Sequence, residues 1–203
     1  DLPAHTQRAK HAITIGADQV LKLRQATRRT SQLASQLLAL SRADARSAAV
    51  VPMQRVDLQQ LCEVVLESEL NAATDKGIDL GLETEPGHAT GYEWLLRELL
   101  SNLVDNAVRY TPVGGRITMR CGLVDGNIDR PFLEVEDDGP GIPAHERAHV
   151  LERFYRLPGT LGEGNGLGLA IAAEIARVHH SALVLGEGNN GRGLRVQMLL
   201  NRV

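Results

Sequence analysis

The sequence predicts an α/β (α+β) two-layer sandwich, in which a mixed, largely antiparallel sheet carries helices on one face and a long helix precedes the whole. Three observations lead there. Apolar residues recur at three- and four-residue spacing in some segments and alternate in others, so helices and strands are interspersed. Tight turns join several strands, which excludes a purely parallel, doubly wound sheet. A small, alanine-containing stretch from Ser41 to Val51, closed by Pro52, separates the first long helix from the rest of the chain. The chain therefore divides into a helical region, 1–48, and a larger domain, 49–203.

Composition narrows the function classes. The 203 residues suffice for one large domain with an appendage, and the formal net charge of −3 leaves no nucleic-acid footprint or polybasic membrane surface. Cys62 and Cys121 stand far apart, with no Cys-x-x-Cys spacing and no Cys/His cluster. They read as two reduced, buried thiols of a cytoplasmic protein rather than a zinc site or a disulfide framework. No apolar run approaches the roughly 20 residues that cross a bilayer. Asp1-Leu2-Pro3 does not open a signal peptide, so the chain reads as soluble, compatible with a longer, membrane-anchored parent.

The elements come in order. From residue 17 to 44 there is no Pro, and Leu23, Ala26, Thr30, Leu33, Leu37 and Leu40 alternate spacings of three and four. This predicts a helix of about 40 Å whose seam packs on other helices. Asp57 is a good N-cap, with Gln60 completing a capping-box pattern, and the helix it opens should stop at Lys76-Gly77. Ile78, Leu80 and Leu82 alternate with polar residues as a half-buried strand.

A third helix runs from about Tyr92 to Arg109, before Pro112. Leu95, Leu99, Leu103 and Ala107 form its packing stripe, and Glu98, Asn102 and Asn106 recur every four residues beside it. With Arg109 and Tyr110 one turn on, this helix holds the parts for a hard cation, phosphates and an aromatic contact. By itself it reads sooner as an amphipathic surface helix with a wet polar face, and only the stretches downstream favour the other reading.

Val113-Gly114-Gly115 turns into a strand through Ile117, Met119, Cys121 and Leu123. Asp125-Gly126-Asn127 turns again, and Phe132, Leu133 and Val135 lead an antiparallel partner strand to Asp137. A short helical stretch is expected around Ala144 to Leu151, and the glycine-rich residues from Leu157 to Asn165 are expected to be mobile. Gly166-Leu167-Gly168-Leu169 opens a helix with Ile171, Ile175 and Val178 on one stripe. Leu183-Val184-Leu185 and the run from Leu194 to Leu200 close the chain as strands around Asn189-Asn190-Gly191.

Four stretches stand in one order: Glu98 to Pro112, Asp137-Asp138-Gly139-Pro140-Gly141, Phe154-Tyr155-Arg156, and Gly164-Asn165-Gly166-Leu167-Gly168-Leu169. Together they resemble the nucleotide-binding boxes of sensor histidine kinases, within the superfamily of gyrase-type, chaperone and mismatch-repair ATPases. The resemblance covers roughly residues 50–203. The helix ending Leu37-Leu38-Ala39-Leu40-Ser41-Arg42-Ala43-Asp44 also looks like the second helix of that family's dimerisation hairpin.

The resemblance implies ATP and Mg2+ as cofactors and gives each box a role. Asp137 accepts from the exocyclic amine of adenine, which guanine lacks at that position. Gly139, Gly141 and Ile142 bring the backbone close to the purine. Gly164, Gly166 and Gly168 offer backbone N–H groups and a helix N-terminus to the triphosphate, with Leu167 and Leu169 anchoring the loop. Asn102 ligates the metal, Asn106 contacts phosphate or the metal shell, Arg109 offsets phosphate charge, and Tyr110 covers the adenine or ribose face. Arg156, with Arg153, sits where the family's lid reaches toward the phosphates. Glu98 is the catalytic candidate: in the ATPase cousins the matching glutamate activates water, and in the kinases it polarises the receiving histidine.

One family feature is missing. None of the seven histidines fits the acceptor pattern His-Glu/Asp-x-x-x-Pro: His5 precedes Thr6 and His11 precedes Ala12. The simplest expectation is a fragment that begins after the acceptor, within the hairpin. His180-Ser181 also replaces the Gly-Gly that relatives carry after the helix-ending histidine. As a whole the resemblance implies a cytoplasmic domain of an inner-membrane sensor protein. In the full protein it dimerises through the hairpin as a four-helix bundle and relays phosphate to a response-regulator receiver domain. Two alternatives stand beside it: a hydrolysing ATPase with Glu98 as general base, and a non-catalytic nucleotide-binding interaction module.

Overall fold

The computed structural model describes residues 52–124, 130–159 and 166–202. The helix expected over 17–44, the boundary near residue 48, the turn at 125–127 and the glycine-rich residues 160–165, Gly164 among them, lie outside the described residues.

In chain order the elements are β1 (Gln54–Asp57), α1 (Leu58–Asp75), β2 (Asp79–Thr84), β3 (His88–Gly91), α2 (Glu93–Tyr110), β4 (Arg116–Val124), β5 (Arg130–Asp137), α3 (Gly168–Val178), β6 (Leu183–Glu187) and β7 (Leu194–Leu199). Five strands form one sheet in the order β2-β4-β5-β7-β6. β2 lies parallel to β4 and every other neighbour is antiparallel, so the sheet is mixed and largely antiparallel, as the sequence predicts.

Alternation along the strands separates two faces. Ile117, Met119, Cys121, Leu133, Val135, Val196 and Met198 point into a core shared with the helices. Thr118, Arg120, Glu134, Glu136, Arg195 and Gln197 occupy the other face. Both cysteines are free and buried.

α1 begins and ends where the sequence places it. The Asp57 carboxylate accepts from the backbone N–H of Gln59 at 3.0 Å and Gln60 at 3.1 Å, and Gly77 adopts φ 70 just past the last turn. Lys76 Nζ then donates to the carbonyls of Val108 and Arg109, at 2.6 and 2.7 Å, satisfying the open C-terminal end of α2.

Two local expectations change. β1 and β3 pair antiparallel in a separate ribbon that the sequence does not announce, because each is four residues long and neither alternates in hydrophobicity. The stretch from Ala144 to Leu151 is two 3-10 turns, Ala144–Glu146 and His149–Leu151, rather than one helical segment. Only Val150 is buried there, so no apolar stripe holds successive turns together.

Candidate nucleotide site

α2 is held by its apolar stripe. Leu95, Leu96, Leu99, Leu100, Leu103, Val104 and Ala107 are all buried, and removing one such leucine side chain costs about 2–5 kcal/mol. That packing fixes which polar side chains emerge beside it. The buried Asn102 donates its amide nitrogen to Glu98 O at 2.8 Å and to Glu98 Oε1 at 3.2 Å. With the NH2 group directed at Glu98, the carboxamide orientation is set and Oδ1 remains as the acceptor, a hard oxygen suited to Mg2+. The half-buried Glu98 has one carboxylate oxygen engaged by the same contact.

Asp137 closes β5, 7% exposed. Its Oδ1 accepts from Gly139 N at 2.9 Å and Leu194 N at 3.3 Å. Burial raises its pKa above the ordinary carboxylate value, and the two backbone N–H groups only partly oppose this. A Cβ on Gly139 would lie 2.8 Å from Asp137 Oδ1 and 3.2 Å from Tyr110 O, so the loop after β5 is folded tightly against the end of α2. A Cβ on Gly141 would lie 2.6 Å from Gly193 O. Purine approach is the reason expected for both glycines, but the first collisions a side chain would meet are with the protein itself.

Gly166 and Gly168 join the same region. A Cβ on Gly168 would come 2.8 Å from Asn106 Nδ2, which sets the start of α3 directly on the Asn106 carboxamide. A Cβ on Gly166 would strike Tyr155 O at 2.6 Å, and Phe154 N donates to Gly166 O at 2.8 Å. The Phe154-Tyr155-Arg156 stretch and Gly166 therefore buttress one another. Leu167 and Leu169 pack, half-buried, against the core.

Other candidates line the edge. Tyr110 is 38% exposed, Arg109 is exposed with Asp105 Oδ2 at 3.4 Å, and Arg153 and Arg156 are exposed. Half-buried Ile142 accepts from Arg147 Nε through its carbonyl at 3.1 Å. The contribution of β7 is absent from the sequence-based expectations: Leu194 N holds the Asp137 carboxylate, and a Cβ on Gly193 would fall 1.6 Å from Asp137 O. Gly191-Arg192-Gly193 signals a turn, and only the β5–β7 pairing reveals what that turn meets.

A carboxylate at a strand end, a carboxamide helix and a glycine-rich helix start thus converge as an ATP-binding fold does. The chain belongs to the histidine kinase-, DNA gyrase B- and HSP90-like ATPase family, which matches residues 91–202. Within that family its relatives are sensor kinases. It is 38% identical to the sensor protein kinase PmrB of Pseudomonas aeruginosa over 182 residues, 89% of this chain and 37% of that protein. It is 35% identical to the sensor protein QseC of Escherichia coli, over 85% of this chain and 37% of QseC. The chain therefore spans little more than a third of these relatives. Among solved structures it resembles the mycobacterial sensor histidine kinase MprB, with a TM-score of 0.64 and 29% identity, covering 74% of this chain and 99% of that one. It also resembles full-length ShkA in complex with AMPPNP, with a TM-score of 0.71 and 27% identity, covering 93% of this chain and 40% of that one.

Proposed function

We propose that this chain is the kinase module of a two-component sensor histidine kinase, and that its pocket takes ATP with Mg2+. The observation that carries the reading is the meeting of the boxes: Asn106 lies against Gly168, and Tyr110 against Gly139 beside Asp137. The AMPPNP complex of ShkA supports it. Bound MgATP supplies the γ-phosphoryl group, for transfer to a histidine outside this chain and then to the aspartate of a response-regulator receiver domain.

The chain's own residues position and neutralise, which is most of the catalysis that phosphoryl transfer needs. Asp137 reads the adenine amine, with Gly139, Gly141 and Ile142 around the purine and Tyr110 over the base or ribose. Asn102 would offer Oδ1 to Mg2+, and one carboxamide would suffice because that ion shares its oxygen ligation with phosphate and water. Asn106, Arg109, Arg156 and the backbone of Gly164, Gly166 and Gly168, anchored by Leu167 and Leu169, hold the phosphates. Glu98 orients the accepting group. Residues 1–48 belong to the dimerisation hairpin, and the domain works in the cytoplasm beneath a membrane sensor. Among the described residues no helix is long and apolar enough to cross a membrane.

The test is calorimetry with ATP and Mg2+, followed by incubation with γ-labelled ATP. MgATP should bind, the chain alone should retain no label, and an added acceptor-histidine hairpin should become labelled. Label retained on a histidine of this chain would refute the missing-acceptor expectation. Steady phosphate release without acceptor, lost in Glu98→Gln, would replace the kinase reading with hydrolysis.

A further inference from the structure

α2 and α3 run side by side in opposite directions and are joined at both ends. At the nucleotide end Gly168 rests on Asn106. At the other end one side chain, His179, makes the joint. It follows the last residue of α3 and is 2% exposed. Its Nδ1 lies 2.8 Å from Ile175 O, and its Nε2 lies 3.0 Å from the backbone N of Tyr92, the residue that caps α2. A carbonyl only accepts and a backbone N–H only donates, so the ring carries its proton on Nδ1 and offers a lone pair at Nε2. The Tyr92 ring meets it edge-on, with centroids 5.8 Å apart. Gly91 is shaped to it, since a Cβ there would sit 3.0 Å from Cδ2 and 3.1 Å from Nε2.

We infer that His179 is a positioning residue that sets the axial register of α3 against α2, and that it does so only as the neutral imidazole. α2 has no side-chain N-cap hydrogen bond, and the Nε2 lone pair takes the place of one for an N–H at the start of the helix. Protonation would put a second donor against that N–H and a cation beside the positive end of α2. Among the described residues the titratable groups beside the ring are the Tyr92 phenol and His180, and neither is a carboxylate. The carboxylate in the first turn of α2, Glu93, is engaged by Arg97 at 2.8 Å.

Burial, with His180, holds the His179 pKa below its ordinary value of 6.5, and the Ile175 carbonyl offsets this only in part. A base whose folded pKa is depressed stabilises the fold fully above its ordinary value. That contribution is lost as pH falls through the folded value. The same fall releases α3 from its register and shifts Gly168 on Asn106. This second effect rests on the nucleotide-site reading above; the first does not.

The test takes the whole chain from pH 8 to pH 5 by thermal unfolding, by MgATP calorimetry and by 15N-detected imidazole tautomer signals. Tm should fall as pH drops below 6.5 while the Nδ1–H signature of His179 persists, and the fall should level off at the lower pH where that signature disappears. MgATP affinity should fall with it, by at most about tenfold per pH unit, the limit that one proton sets. His179→Gln keeps an acceptor without titrating, so its profile should be flatter than wild type whatever its affinity at pH 7.5. The difference between the two removes protonation of the nucleotide itself. Protonation of His179 near 6.5 with no change in Tm would overturn the inference, as would identical pH slopes in His179→Gln. Absence of MgATP binding at every pH, with the Tm profile as expected, would reject the nucleotide reading and leave the joint standing.

Discussion

Asp137 sends both of its backbone partners, Gly139 N and Leu194 N, to the same oxygen, Oδ1. In the proposed site its other oxygen is therefore the one left for a base. An asparagine at this position must turn its carbonyl to the two N–H donors, which leaves its NH2 facing the adenine amine, donor against donor. Asp137→Asn should lose ATP affinity by about 2 kcal/mol, roughly 30-fold, and should move preference toward a purine with an oxygen at that position. The apo fold should not lose stability. Because burial raises the carboxyl pKa, the unfolded chain releases that proton first, so stability falls as pH rises from the ordinary value of 3.8 through the folded value. The variant should lack this acid-range slope. Calorimetry with ATP and GTP, beside thermal unfolding from pH 3 to pH 7, reads both effects.

At the scale of elements, legibility in the sequence depends on whether a periodic pattern exists. α2 is legible because its leucine stripe and its Glu98, Asn102, Asn106 file obey one helical period. The strands of the five-stranded sheet show through their alternation, or through turns at both ends. β1 and β3 are not legible because four residues carry too little pattern. The hold of β7 on Asp137 is invisible because it comes from pairing between strands about sixty residues apart. Two glycines test this division. Gly193 has φ 75 and its Cβ would meet Asp137 O, which is backbone and cannot step aside. Gly193→Ala should cost more than about 2 kcal/mol of stability and abolish MgATP binding with it. At Gly168, the first residue of α3, the obstacle is the end of the Asn106 side chain, which can swing away, and alanine loses less backbone entropy than glycine on folding there. Gly168→Ala should keep or raise stability in urea unfolding and still weaken MgATP binding. Parallel losses of stability and binding in both variants would contradict the assignment of Asn106 to the site.

At the largest scale, among the described residues the helices cover one face of the sheet and the other face carries a network of charge. Arg120 on β4 bonds to Glu83 of β2 at 2.6 Å and to Glu134 and Glu136 of β5 at 3.1 and 2.7 Å. Gln197 of β7 donates to Glu134 at 3.0 Å, and the backbone N of Asn189 donates to Glu136 at 2.8 Å. The network thus spans four strands and ends beside Asp137. Burial alone would lower the Arg120 pKa, but its three carboxylate partners outweigh that and hold the guanidinium charged. The side chains of Glu134 and Glu136 are only 7% and 11% exposed, so neither has much water to fall back on. Arg120→Met should therefore destabilise by about 3–5 kcal/mol at pH 7, because it strands two buried carboxylates without their counter-ion. Without the cation the like charge of the two neighbouring carboxylates is left uncompensated. The deficit should then shrink as pH falls from 7 toward 4, in the direction opposite to the His179 effect. Adding Glu134→Gln and Glu136→Gln to Arg120→Met should recover most of the loss at pH 7 and flatten the profile. A deficit that stays constant with pH, or survives in the triple variant, would mean that Arg120 acts through the packing of its stem rather than its charge.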